Sequence, residues 1–168
     1  SSILSKKIAS GSKNLVLDVK VGNGSFNDTE EIASNLAISL VKVAKGAGLN
    51  CEAILTDMNQ VLGFSAGHAL EVEESIEYLL NNKKNIRLEK ITNELAASIL
   101  VMTKKINKNN AFTKINEVIN NGKAAEKFEK MVSALGGPKN LLTNFKTFLP
   151  KASYINKILA FKEGFIKS

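Results

Sequence analysis

A chain of 168 residues has room for one domain with a buried core, and its 44% hydrophobic and 23% charged residues are ordinary for a globular protein. No apolar run approaches the ~18 residues that cross a bilayer, and no signal-type apolar region follows the first lysines, which speaks against a membrane or secretory protein. The formal charge of +7 raises nucleic acid as a partner, but all but one of the 23 basic residues are lysines scattered among glutamates and asparagines, whereas base readout favours arginine.

A single cysteine, Cys51, excludes an internal disulfide and suits a reducing cytoplasm, and a single histidine, His68, excludes a multi-histidine metal site. In chain order, residues 2–10 predict a short helix stopped by Gly11, with Ile3, Leu4 and Ile8 apolar. Residues 14–22, NLVLDVKVG, predict a strand in which Leu15, Leu17, Val19 and Val21 alternate with Val16, Asp18 and Lys20. Asp28 or Thr29 then caps a helix whose first turn carries Glu30 and Glu31 and whose apolar stripe is Ile32, Leu36, Leu40 and Val43, ended by Gly46 and Gly48. CEAILTDM, residues 51–58, predicts a second strand. Strand, helix, strand at this spacing is a βαβ unit with parallel strands.

Helices are expected next over 71–80, along the stripe Leu88, Ile91, Leu95, Ile99 and Met102, then over 111–120, 123–135 and 141–149. Gly136, Gly137 and Pro138 break the chain before the last of these. YINKILAFKEGFI, after Ser153, predicts a β-hairpin with its turn at 162–164. The architecture expected is α/β with helices dominating. Ligands in such sheets gather beyond the carboxyl ends of the strands, here the GNGSF and DMNQVLGFSAG loops, where glycine permits close backbone approach. Asp18 and Lys20 share a strand face and are expected to pair as structural support. Asp57 reads as a turn carboxylate and Cys51 as a buried strand residue.

Several ordered blocks carry a resemblance. SSILSKKIASGSKNLVLDVKVGNGSF, KGAGLNCEAILTDMNQVLG, SAGHALEVEESIEYL and NNGKAAEKFEKMVSALGGP together resemble the central part of the thymidine phosphorylase and pyrimidine-nucleoside phosphorylase family, in the family's order and spacing. The resemblance implies a cytoplasmic, homodimeric pentosyltransferase of nucleoside salvage with a small helical lobe and a large α/β lobe. Residues 1–12 would belong to the small lobe and hinge, and 13–168 to part of the large, phosphate-side lobe. The implied reaction is reversible phosphorolysis of a thymidine- or uridine-type nucleoside, with phosphate as co-substrate, no organic cofactor, and no nucleic-acid or membrane partner.

The family's base-recognition serine and lysine fall in SILSK, at Ser2 and Lys6, four residues and so about one helical turn apart. Ser2 would read the pyrimidine edge. Lys6 would both bind the base and stabilise the negative charge it carries on departure. A potassium site is implied at the backbone oxygens of Leu62 and Ser65 and the carboxylate of Glu74. His68 stands where relatives carry asparagine, which argues against a catalytic role there, and Asn27 replaces the family's usual apolar residue. The family's phosphate-binding residues and base-binding arginine belong to segments upstream of Ser1, a role Arg87 does not take over, so the chain is expected to be one segment of a longer enzyme and inactive alone. Two other readings are an anthranilate phosphoribosyltransferase, for which no acidic pair suited to magnesium–pyrophosphate is present, and a non-catalytic binding module.

Overall fold

In this computed structural model, which describes residues 2–104 and 106–164, the alternating segment forms strand β1, Asn14–Val21, and the second apolar segment forms β2, Asn50–Asp57. They pair in parallel from Asn14 opposite Asn50 to Val21 opposite Asp57. The crossover is helix α2, Glu30–Gly46, and a short helix α1, Ser2–Ala9, precedes β1. Thr29 is the cap of α2: its backbone is extended and its Oγ1 accepts from Ile32 N at 3.3 Å, so Asp28 does not take that position. Gly48, at φ +83°, turns the chain from α2 into β2.

The face that α2 buries differs from the expected stripe. Ala33, Ala37 and Ala44 are the buried positions, while Ile32, Leu36 and Val43 are 47%, 41% and 58% exposed. An offset of one residue rotates a helix face by ~100°. Alanines let the helix axis lie close to the strands, with Val19, Leu17, Val21 and Ala53 packed beneath Ala33 and Ala37. Leu40 and Val41 fill the other end, beside Leu4 of α1, Ala44, Leu49 and Cys51. Leu4 thereby fixes α1 onto the βαβ unit.

The chain divides into two compact units. The first comprises residues 2–62 and 90–115, and the second Gly63–Glu89 and 116–164. Helices α3, His68–Leu79, α4, Ile86–Lys104, α5, Lys108–Asn120, α6, Lys123–Ala134, and α7, Leu141–Phe148, complete the order. In the first unit Ala97, Ala111 and Ile115 are buried, and Lys108 pairs with Glu94 at 2.7 Å. In the second, Ile76 of α3 is fully buried with Leu141 and Phe145 of α7, and Phe128 and Val132 of α6 pack against them. The Gly-Gly-Pro break has a steric cause: a Cβ on Gly137 would lie 2.5 Å from Val132 Cγ1. Glu129 Oε1 then accepts from Leu142 N at 2.9 Å and caps α7.

The expected C-terminal hairpin is absent from the described residues. Residues 149–164 contain no strand, and Tyr154, Ile155, Ile158, Leu159 and Phe161 are 78–107% exposed. A strand forms when its backbone finds a ladder partner and its apolar face a core, and this stretch has neither among the described residues. Residues 165–166, the end of the expected hairpin, lie outside the described residues.

Candidate active site

The carboxyl ends of β1 and β2 are tied together within the first unit. Met58 N donates to Val21 O at 2.6 Å and Gly24 N to Met58 O at 3.0 Å. Asn59 joins the loops: its Oδ1 accepts from Asn23 N at 3.1 Å, while its own N and Nδ2 donate to Asp57 Oδ1 at 2.9 and 2.5 Å. Asp57 is therefore the turn carboxylate that its position suggested. Gly22, at φ +125°, must be glycine because a Cβ there would sit 2.7 Å from Asn59 Oδ1. Asn27 has a role that an apolar side chain could not fill, since its Nδ2 donates to Lys20 O at 3.0 Å; its backbone O, as any residue's could, accepts from Gly22 N at 2.9 Å. Ser25 Oγ reaches the same Lys20 carbonyl at 2.8 Å.

On the polar face of the sheet Lys20 Nζ meets Asp18 Oδ2 at 2.7 Å, as expected. Thr56 completes the set, accepting from Lys20 Nζ at 3.0 Å and donating to Asp18 Oδ1 at 2.5 Å. A lysine and an aspartate that neutralise each other across one strand face are supporting structure.

Ser2 and Lys6 both lie in α1 and both are exposed, while Leu4 between them is buried. The Ser2 carbonyl accepts from Ser5 Oγ at 3.0 Å, and the Lys6 carbonyl from Ser10 N at 3.0 Å, so the helix uses their backbones and leaves the two side chains outward. Among the described residues Lys6 has no ion-pair partner. Such an ammonium is available to an anion.

In the second unit the loop 63–67 is wrapped onto α3. Glu74 accepts from Phe64 N at 2.8 Å through Oε1 and from Ser65 N at 3.0 Å through Oε2. Glu71 Oε1 accepts from Gly67 N at 2.9 Å. A Cβ on Gly63 would fall 2.7 and 2.8 Å from the two Glu74 oxygens, and Lys83 Nζ stands 4.8 Å from the centre of the Phe64 ring. Ser65 and Glu74 are thus together, whereas Leu62 ends the first unit. His68 is exposed at the first turn of α3.

Burial pushes the Cys51 thiol up; Lys45 opposes that and Glu52 adds to it, so Cys51 is a protonated core residue rather than a nucleophile. An open groove of about 710 Å³ between α2 and β2 is lined by Ile38, Val41, Lys45, Cys51 and Leu55 and contains none of the predicted site residues. No group of three His, Cys, Asp or Glu side chains suited to a metal occurs among the described residues. No helix among them is long and apolar enough to cross a membrane. Sequence reasoning missed Asn59, Thr56 and Glu71. Only Glu71 had a local signal, a carboxylate one turn past a glycine at a helix start.

A parallel βαβ unit, with glycine loops joined at the strands' carboxyl ends and a lysine-bearing helix packed on it, is an α/β arrangement of the class in which ligands gather beyond the strands' carboxyl ends. Residues 1–125 match the model of the glycosyl transferase family, a/b domain, and the chain belongs to that family. Over 166 residues, 98% of its length, it is 48% identical to a thymidine phosphorylase of Colwellia psychrerythraea. It spans 38% of that relative's length.

Proposed function

We propose that the protein acts in a pyrimidine-nucleoside phosphorylase, a pentosyltransferase of the thymidine phosphorylase type. The observation that carries this is the 48% identity, over nearly all of the chain, to a protein of that name. In the proposed reaction a phosphate oxygen forms a bond to C1′ of the nucleoside while the C1′–N1 bond breaks. The bonding electrons leave with the base, and the products are free pyrimidine and pentose 1-phosphate. Charge therefore grows on the base, where an ammonium lowers the barrier most.

Lys6 is assigned that role and base binding, and Ser2 the hydrogen bond to the base edge. Their four-residue spacing on one exposed helix supports both assignments. The phosphate-binding groups are assigned to other segments of the full-length enzyme, which we take to be a cytoplasmic homodimer. We also assign a monovalent-cation site to the Leu62 and Ser65 carbonyls and the Glu74 carboxylate. The donor set fits potassium, because oxygen ligands suit a hard cation and Gly63 leaves no side chain between the loop and Glu74. The ion would supply positive charge beside the loop's carbonyls.

The test is phosphorolysis by the full-length protein with thymidine or uridine. Phosphate-dependent release of free base is expected. No release from either nucleoside would overturn the proposal. Comparing potassium, sodium and tetramethylammonium tests the cation site: melting temperature and activity are expected to rise with potassium in the wild type and not in Glu74→Gln.

A further inference from the structure

The loop 63–67 is organised by two carboxylates of the helix that follows it. We propose that Glu71 and Glu74 are positioning residues whose carboxylates hold the loop in one shape before any cation or substrate arrives. Three amides, those of Phe64, Ser65 and Gly67, donate to these two side chains at 2.8, 3.0 and 2.9 Å. The successive Phe64 and Ser65 N–H groups converge as in an anion-binding concavity, and here the anion is the chain's own Glu74, while Gly67 is held separately by Glu71. Bonds to an ionised acceptor are about twice as strong as neutral ones, so such a clamp can offset the ordering cost of a short loop.

The clamp also decides where the loop's carbonyls point. The peptide bonds are trans, so each C=O lies opposite its own N–H. Fixing the amides of Phe64, Ser65 and Gly67 turns the carbonyls of Gly63, Phe64 and Ala66 away from the carboxylates. The two carbonyls assigned to the cation, Leu62 and Ser65, belong to the remaining peptide groups, which the clamp does not reverse. Glu71, which is not among the assigned cation ligands, thus sets the geometry in which the cation is bound. Gly63 is part of the same device, since any Cβ there meets both Glu74 oxygens. The Lys83 ammonium over the Phe64 ring fixes the loop from beyond the other end of α3.

The part of this inference that concerns cation affinity rests on the cation reading above; the clamp itself does not. The two are separated by backbone hydrogen exchange on the full-length protein in buffer whose only cation is tetramethylammonium. The Phe64, Ser65 and Gly67 amides are expected to be protected there. Glu74→Ala should remove protection from Phe64 and Ser65 by about tenfold or more while Gly67 keeps it, and Glu71→Ala should do the reverse, with Ile76 and Tyr78 inside α3 unchanged in both. Potassium titrations followed by melting temperature should then show Glu71→Ala needing about tenfold more potassium for half its effect, with the full effect recovered at high potassium. Indifference to potassium in every variant, with the exchange pattern intact, would remove the cation and leave the clamp standing. Loop amides that exchange freely in tetramethylammonium and become protected only when potassium is added would overturn the clamp.

Discussion

In the proposed reaction Lys6 and Ser2 would make two different kinds of contribution from one helix. Removing an ammonium aimed at developing charge costs rate at the chemical step, so Lys6→Ala in the full-length enzyme should lower kcat/KM by ~10²-fold or more. A neutral hydroxyl contributes ~0.5–1.5 kcal/mol, and Ser2→Ala should therefore cost about tenfold or less, chiefly in KM. Steady-state kinetics on the two variants checks both, and near-native rates in Lys6→Ala would withdraw the assignment. Tyr78 makes a second prediction at this scale. Burial, helped by the charge of Glu89, pushes its hydroxyl from the ordinary 10.0 up to about 12. The folded state thus holds this proton more tightly than the unfolded state. Its stabilising effect is complete below pH 10 and is lost as pH rises toward 12. Urea unfolding across that window should show a steeper loss of stability in the wild type than in Tyr78→Phe, and equal slopes would contradict it.

At the level of elements, stability should respond unequally in the two units. Thr29→Ala removes the side-chain cap of α2 and should cost ~1 kcal/mol, and Thr29→Ser should restore most of it. Ile76→Ala opens a fully buried position beside Leu141 and Phe145 and should cost ~2–5 kcal/mol. Chemical denaturation reads both. The elements themselves were largely legible. Both strands, the parallel pairing and the helices follow from periodicities of two and 3.6. Boundaries were less so, because asparagine caps extend helices beyond their apolar stripes. Asn85 Oδ1 accepts from the Arg87 and Leu88 amides, and Asn107 Oδ1 from the Asn110 amide, so α4 and α5 begin before the first stripe residue. The alanine face of α2 was hidden because a hydrophobicity count prefers Ile32 and Leu36 to Ala33 and Ala37. The Glu74–Ser65 contact lies within one local block. The Asn59 bridge depends on a register between strands that one sequence does not display.

For the whole molecule, charge and apolar exposure pull in opposite directions. A net charge of +7 keeps copies apart at low salt. Residues 154–161 present five large apolar side chains to solvent, more than scattered exposure would give. Sedimentation velocity over a concentration series should therefore show self-association of the 168-residue chain that strengthens as salt screens the lysines. Replacing Ile155 and Ile158 together by aspartate should reduce it. A monomer at every concentration and salt level would show that this stretch is covered within the chain. The hairpin expected in the same residues rested on their strand-forming apolar and aromatic side chains and a turn at 162–164, and such a composition says nothing about the presence of a ladder to join.

The offset between the two strands bears on the order of events in folding. Asn14 faces Asn50 and Lys20 faces Thr56, each 36 residues apart, so no ladder bond can form until the intervening chain has closed on itself. The 17-residue α2 takes up much of that interval, and helices propagate far faster than such a loop closes. Early winding of α2 shortens the span that must be searched. Weakening its first turn should slow refolding more than it speeds unfolding, so Thr29 is expected to give a φ-value well above that of Ile76.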